Sequence, residues 1–208
     1  MKSKDFVALA KRLLPNMPGF AVKGPMVAML PVKFAVRGIY FEGSSFDTKS
    51  FYVWVFFLPL FVPTSNVSFN LGRRLRVPAG GDRWSTDMPN LMGDLAAAVE
   101  RDALPFLSGI ESPLDIAKAA EKIQAPKDPY VQQAIAYAWA RAGDTARACD
   151  ELGKLVRLLD SKIPWQHAMS DRAEGLKAKL LESPMEAKAQ LEAWEVETVQ
   201  GLGLDNFK

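Results

Sequence analysis

The stretch Phe51-Tyr52-Val53-Trp54-Val55-Phe56-Phe57-Leu58-Pro59-Leu60-Phe61-Val62 contains no charge and almost no polar atoms. Apolar residues fall on both parities, Phe51, Val53, Val55 and Phe57 on one and Tyr52, Trp54, Phe56 and Leu58 on the other. A strand sends alternate residues to opposite faces, so this one is apolar on both and reads as a central strand covered on two sides. The run is shorter than the ~20 residues a bilayer needs, and Pro59 interrupts it. Pro59 and Pro63 lack the N–H that a central ladder requires, so pairing should stop near Leu58.

The neighbouring segments fit an antiparallel sheet. Gly24-Pro25 reads as a turn, with a short strand over 26–30. Residues 33–41 read as a strand with Phe34, Val36 and Tyr40 on one face and Ala35, Arg37, Ile39 and Phe41 on the other. The polar segment 43–50 is a hairpin connection. Residues 67–75 alternate, with Val67, Phe69, Leu71 and Leu75 inward and Ser68, Asn70, Gly72 and Arg74 outward. One sheet face is thus well covered and the other only partly. Ser3 can cap a helix over 3–14, whose Phe6, Leu9, Ala10 and Leu13 share a face. The second face of 51–62 would be covered by that helix and the 77–90 loop, or by another protein. Trp84, in that loop, is expected to pack back onto the sheet.

From residue 90 onward the pattern is helical. A stripe of Leu91, Leu95, Val99 and Leu104 is closed by Pro105. Ser112-Pro113 with Asp115, and Asp128-Pro129, are helix starts, a cap followed by proline at the first helical position. Helices follow over 113–123, 129–142, 145–159, 165–182 and 184–200. The expected fold is α+β: an N-terminal helix, an antiparallel sheet of three to four strands, then stacked antiparallel helical hairpins. The natural division is a sheet domain over 1–110 and a helical domain over 111–208.

The helices over 129–159 resemble one tetratricopeptide repeat at Ile135, Ala136, Trp139, Gly143, Asp144, Ala148 and Leu152. A second pair carries Ala187, Leu191 and Trp194 at packing positions. That resemblance implies polypeptide binding on a helical face and no chemistry. Residues 1–110 are similar in order and composition to bacterial immunity-like domains of unknown function, through Arg37-Gly38-Ile39-Tyr40-Phe41, Phe51-Tyr52-Val53-Trp54 and Pro59-Leu60-Phe61-Val62-Pro63. Some of those domains neutralise toxins of neighbouring cells.

The chain has 208 residues and a net charge of +2, but the charge is split. Residues 1–90 carry 12 Lys/Arg against 5 Asp/Glu, and residues 91–208 carry 14 against 19. Such halves can attract each other or an oppositely charged partner. Cys149 is the single cysteine, which excludes an internal disulfide and suits a reducing cytoplasm. No apolar segment follows the basic start, so no secretory signal is expected.

No phosphate-loop, dinucleotide, zinc-protease or serine-hydrolase motif occurs. His167 is the single histidine and reads as an exposed helical residue, so no metal or cofactor is implied. A Cys149–His167 pair has no glycine-rich elbow to support it. Asp82 and Asp87 could form a carboxylate pair over the sheet, the basis of an enzyme reading for the 77–90 loop. The candidate interaction residues are Arg73, Arg74 and Arg76, with Arg37 and Trp84 nearby. The expected function is a non-enzymatic protein-binding module, an adaptor or toxin-neutralising protein. A single-stranded nucleic-acid site at the arginines is the less favoured alternative.

Overall fold

Strand β4 (Ser50–Pro59) is an interior strand of the sheet, and both its parities are largely buried. The computed structural model describes residues 3–125 and 127–207 and divides them into two compact units. Unit one holds 1–58, 72–109 and the chain's last residues; unit two holds 59–71 and 110–205.

The first unit carries one antiparallel sheet of six strands, two or three more than the sequence reading expects. Its order is β1 (Phe20–Lys23), β2 (Met26–Met29), β3 (Ala35–Gly43), β4 and β5 (Gly72–Arg74), with β6 (Trp84–Ser85) also beside β4. β1 and β2 form a hairpin about Gly24-Pro25, with Val22 opposite Val27. Gly24 takes a positive φ of 57° there, which a glycine adopts freely. The sequence reading has neither β1 nor β6; β6, at two residues, is too short to show a period.

The alternating segment 67–75 is a correction. Only Gly72–Arg74 pairs with β4, Trp54 opposite Arg74 and Phe56 opposite Gly72. Gly72 can sit there because it lacks a side chain. A Cβ at that position would stand 2.8 Å from both Phe56 Cβ and the Val55 carbonyl oxygen. Residues 60–71 run outside the sheet, since Pro59 and Pro63 cannot donate to a ladder.

Helix α1 (Ser3–Leu13) packs Phe6, Leu9, Ala10 and Leu13 against Phe51, Val53 and Val55. The Phe6 and Phe51 rings meet edge to face at 6.2 Å. The cap expected at Ser3 rests on a side chain outside the described residues. Leu95, Ala98 and Val99, from α2 (Leu91–Ala98) and the turn after it, close the same core. The helix does not end at Pro105, as its sequence suggests. Residues Val99–Ala103 form a π turn, with the Leu104 N–H donating to the Val99 carbonyl, and α3 (Leu104–Ser108) continues beyond. Proline has no N–H, and its ring would strike the carbonyl four residues back, so a wider turn accommodates it.

The 77–90 segment is likewise not a free loop. Trp84 pairs opposite Phe51 in β6, is fully buried, and donates its indole N–H to the Leu75 carbonyl at 3.1 Å.

In the second unit, α4 (Pro113–Glu121), α5 (Pro129–Ala142), α6 (Thr145–Leu158), α7 (Pro164–Glu182) and α8 (Pro184–Gly201) pack in sequence. The capping box at Ser112 and Asp115 is present, and Asp128 caps α5. Gly143 ends α5 at φ 88°, a left-handed position. α5 is the centre of this unit, touching α4, α6 and α8, and nine of its fourteen residues are buried. Its small residues Ala134, Ala136, Ala138 and Ala140 let neighbours approach on several sides.

Candidate functional site

Strand pairing puts the arginines of β5 on alternate faces of the sheet edge. Arg74 stands opposite Trp54, so it shares the second face with Trp54 and Tyr52. Its guanidinium carbon lies 3.7 Å from the Tyr52 ring centre and 4.8 Å from that of Trp54. Asp82 holds it at 3.2 Å and Glu42 at 3.7 Å, and Glu42 also accepts the Trp54 indole N–H at 2.8 Å. Each ion pair is partly exposed and contributes ~0–1 kcal/mol. The stacking on two rings adds about 0.5–2 kcal/mol. The Arg74 Nε is buried with no hydrogen-bond partner.

Arg73 points the other way. Its Nη2 donates to the Asp102 carbonyl at 3.0 Å, in the π turn, and its guanidinium lies 5.6 Å from the Phe106 ring. The Asp102 carboxyl is held below the usual carboxylate range, chiefly by Arg101 and to a lesser extent by Arg73. Arg37 reaches the Leu107 carbonyl at 3.5 Å. Arg76 is exposed and, among the described residues, has no ion pair or hydrogen bond. A cavity of about 430 Å³ is lined by Arg73, Arg74, Leu75, Arg76 and Asp102.

Of the sequence candidates, the structure thus brings Arg73, Arg74 and Arg76 together. Arg73 and Arg37 serve the carbonyls of the 99–108 helical segment, and Arg74 serves the face of the sheet. Trp84 is a core residue with no surface to offer. The cover of the second face is also corrected: α1 and Trp84 lie in the first-face core, while Arg74 lies over Tyr52 and Trp54. Those rings are therefore already stacked, which leaves less face for a nucleobase. Asp82 is bound by Arg74, and Asp87 by Lys49 at 2.9 Å. No described group of three or more His, Cys, Asp or Glu could hold a metal ion. No described helix is long and apolar enough to cross a membrane.

The exposed apolar surface lies elsewhere. Among the described large hydrophobics that are exposed, all but Leu30 and Phe46 belong to the helical unit. Two of them are organised. Tyr130, in the first turn of α5, and Trp165, in the first turn of α7, stack at 5.4 Å with ring planes 7° apart. They remain 46% and 44% exposed. The sequence carried a sign of them: each aromatic directly follows the proline that opens its helix, in Pro129-Tyr130 and Pro164-Trp165. His167, two residues on from Trp165, pairs with Asp171 at 3.6 Å on the exposed surface of α7.

At the other end of α5 the hairpins are cross-braced. Trp139 donates its indole N–H to Glu121 at 2.8 Å, while Arg147 lies over the Trp139 ring at 3.8 Å and pairs with Glu121 at 2.7 Å. Arg141 joins α5 to Glu192 and Glu195 of α8. Comparison with protein-family models, curated proteins and solved structures finds no match to this chain.

Proposed function

We propose that this protein is a non-enzymatic binding module for another protein, engaged through the Tyr130–Trp165 end of its helical hairpins. The observation that carries the reading is the stacked, half-exposed ring pair. Tyrosine and tryptophan supply large apolar area with few rotatable bonds, and they dominate the energetics of many interfaces. Rings stacked before a partner arrives have already lost much of the freedom that binding would otherwise remove. The resemblance of 129–159 to a tetratricopeptide hairpin supports the same reading: Gly143 turns the pair, and Ala148 and Leu152 are buried on the second helix. An adaptor or an immunity-type protein that occupies a toxin, working in a reducing cytoplasm, fits this picture. The carboxylates Asp82 and Asp87, each bound to a cation, favour binding over catalysis in the 77–90 segment.

The test is paired capture from native lysate with the tagged wild-type chain and a Tyr130→Ala/Trp165→Ala variant. Each side chain is nearly half exposed and lies in the first turn of its helix, so the variant should keep its helical circular dichroism, which is measured alongside. A partner held by the wild type and depleted at least about tenfold by the variant supports the reading. Equal recovery by both proteins overturns it.

A further inference from the structure

Two cations of the helical unit, Arg157 and Lys177, share a space with no ion pair of their own among the described residues. The Arg157 Nη1 of α6 and the Lys177 Nζ of α7 converge over Gly153, 3.6 and 3.7 Å from the point where a Cβ would stand. Neither makes an ion pair or hydrogen bond among the described residues. The cavity around them, about 400 Å³, is lined by Arg147, Cys149, Asp150, Glu151, Gly153, Lys154, Arg157 and Lys177. Its other charges are mostly taken. Glu151 is bound by Lys154 at 2.7 Å and by the Gln132 amide at 2.8 Å, and Arg147 is bound by Glu121. Asp150 also lines the cavity but forms no ion pair with Arg157 or Lys177 among the described residues.

Two like charges directed into one space repel, and an anion between them offsets that repulsion. We propose that this pocket binds a phosphate-class oxyanion between the Arg157 guanidinium and the Lys177 ammonium, over the bare backbone of Gly153. The guanidinium offers a planar fork to two oxygens, and the ammonium offers a mobile point charge to a third. A Cβ at Gly153 would lie in van der Waals contact with both cations, so glycine leaves the space between them open. The site is independent of the Tyr130–Trp165 platform and stands or falls apart from it.

Cys149 makes the site measurable. It is the single cysteine of the chain and lines this cavity, so its alkylation reports on this place alone. The experiment follows the rate of Cys149 alkylation by neutral iodoacetamide in inorganic phosphate and in sodium chloride at matched ionic strength. Saturable slowing by phosphate, absent with chloride, is expected. It should be lost in an Arg157→Gln/Lys177→Gln variant, whose circular dichroism should be unchanged because neither side chain has an intrachain partner. Calorimetric titration with phosphate should show binding by the wild type and at least about tenfold weaker binding by either single variant. A phosphoserine peptide protecting at lower concentration than phosphate identifies a polypeptide-borne group; protection by phosphate equal to or better than the peptide's identifies a small free ion. Identical rates in phosphate and chloride, or protection that persists in the double variant, overturns the proposal.

Discussion

Tyr137 shows what burial does to one polar atom. Its ring is fully buried and stacks on Trp194 at 5.5 Å, while its hydroxyl has no hydrogen-bond partner of ordinary geometry. Burial raises its pKa above the usual phenol value of about 10, and nearby Gln133 and Arg172 offset this only in part. The folded state therefore keeps its proton where the unfolded chain loses it. Stability from this group is full below pH ~10 and falls as pH rises beyond that value. Tyr137→Phe removes the titration and leaves no buried acceptor behind. Its stability at pH 7 should lie within about 1 kcal/mol of wild type, and its alkaline loss should be flatter, as measured by urea unfolding across pH 7–11. Trp84 is the opposite case, because its indole satisfies the Leu75 carbonyl. Trp84→Phe leaves that oxygen unpaired inside the core and should cost about 1–3 kcal/mol in the same assay.

At the scale of elements, local start and stop signals held, with Pro105 as the exception. Asp128 caps two N–H groups of α5, at Tyr130 and Val131, and its other oxygen accepts from the Asn70 amide at 2.9 Å. Asp128→Ala removes both interactions and should lower stability by about 1–2 kcal/mol, seen as a shift of the far-ultraviolet melting curve. Asp128→Asn retains a capping oxygen and should cost less than Asp128→Ala. The capping box of α4 and the Gly143 terminus of α5 were legible for the same reason: they are local, and each uses residues adjacent in sequence. The extent of α2 was not. Pro105 normally marks a helix end, but Leu95, Val99 and Leu107 all belong to the core, and continuing through a π turn keeps them there. Burial of apolar side chains outweighed a local backbone preference.

At the scale of the molecule, segment 59–71 belongs to the helical unit although it follows β4 in sequence. Within that unit Asn70 donates to Asp128, and the Thr198 hydroxyl donates to the Val62 carbonyl at 3.3 Å. Gly201 of α8 lies close to Ser65, where a Cβ would stand 3.3 Å from the Ser65 Cα. A fragment of residues 110–208 would lack all of these contacts. Its helical signal should melt at lower temperature than that of the whole chain, and adding the 59–71 segment in trans as a peptide should raise the transition. An unchanged melting temperature for the fragment would show that 59–71 gives the helices no support.

The sequence alone determined that β4 is a covered central strand, that an amphipathic helix precedes the sheet and that capped helices follow it. Each is written in local periodicity, in proline and glycine placement, and in cap residues. Only the tertiary structure decided which polar residues meet. Arg74 finds Glu42 and Asp82 across 32 and 8 positions of chain, and Tyr130 finds Trp165 across 35. The 67–75 alternation looked like a long strand because period-two patterning describes exposure, not pairing. Pairing needs a neighbour, and only Gly72–Arg74 comes near enough to β4 to have one. The convergence of Arg157 and Lys177 over Gly153 has the same origin: one cation is on α6, the other on α7, and no periodicity within either helix records the meeting.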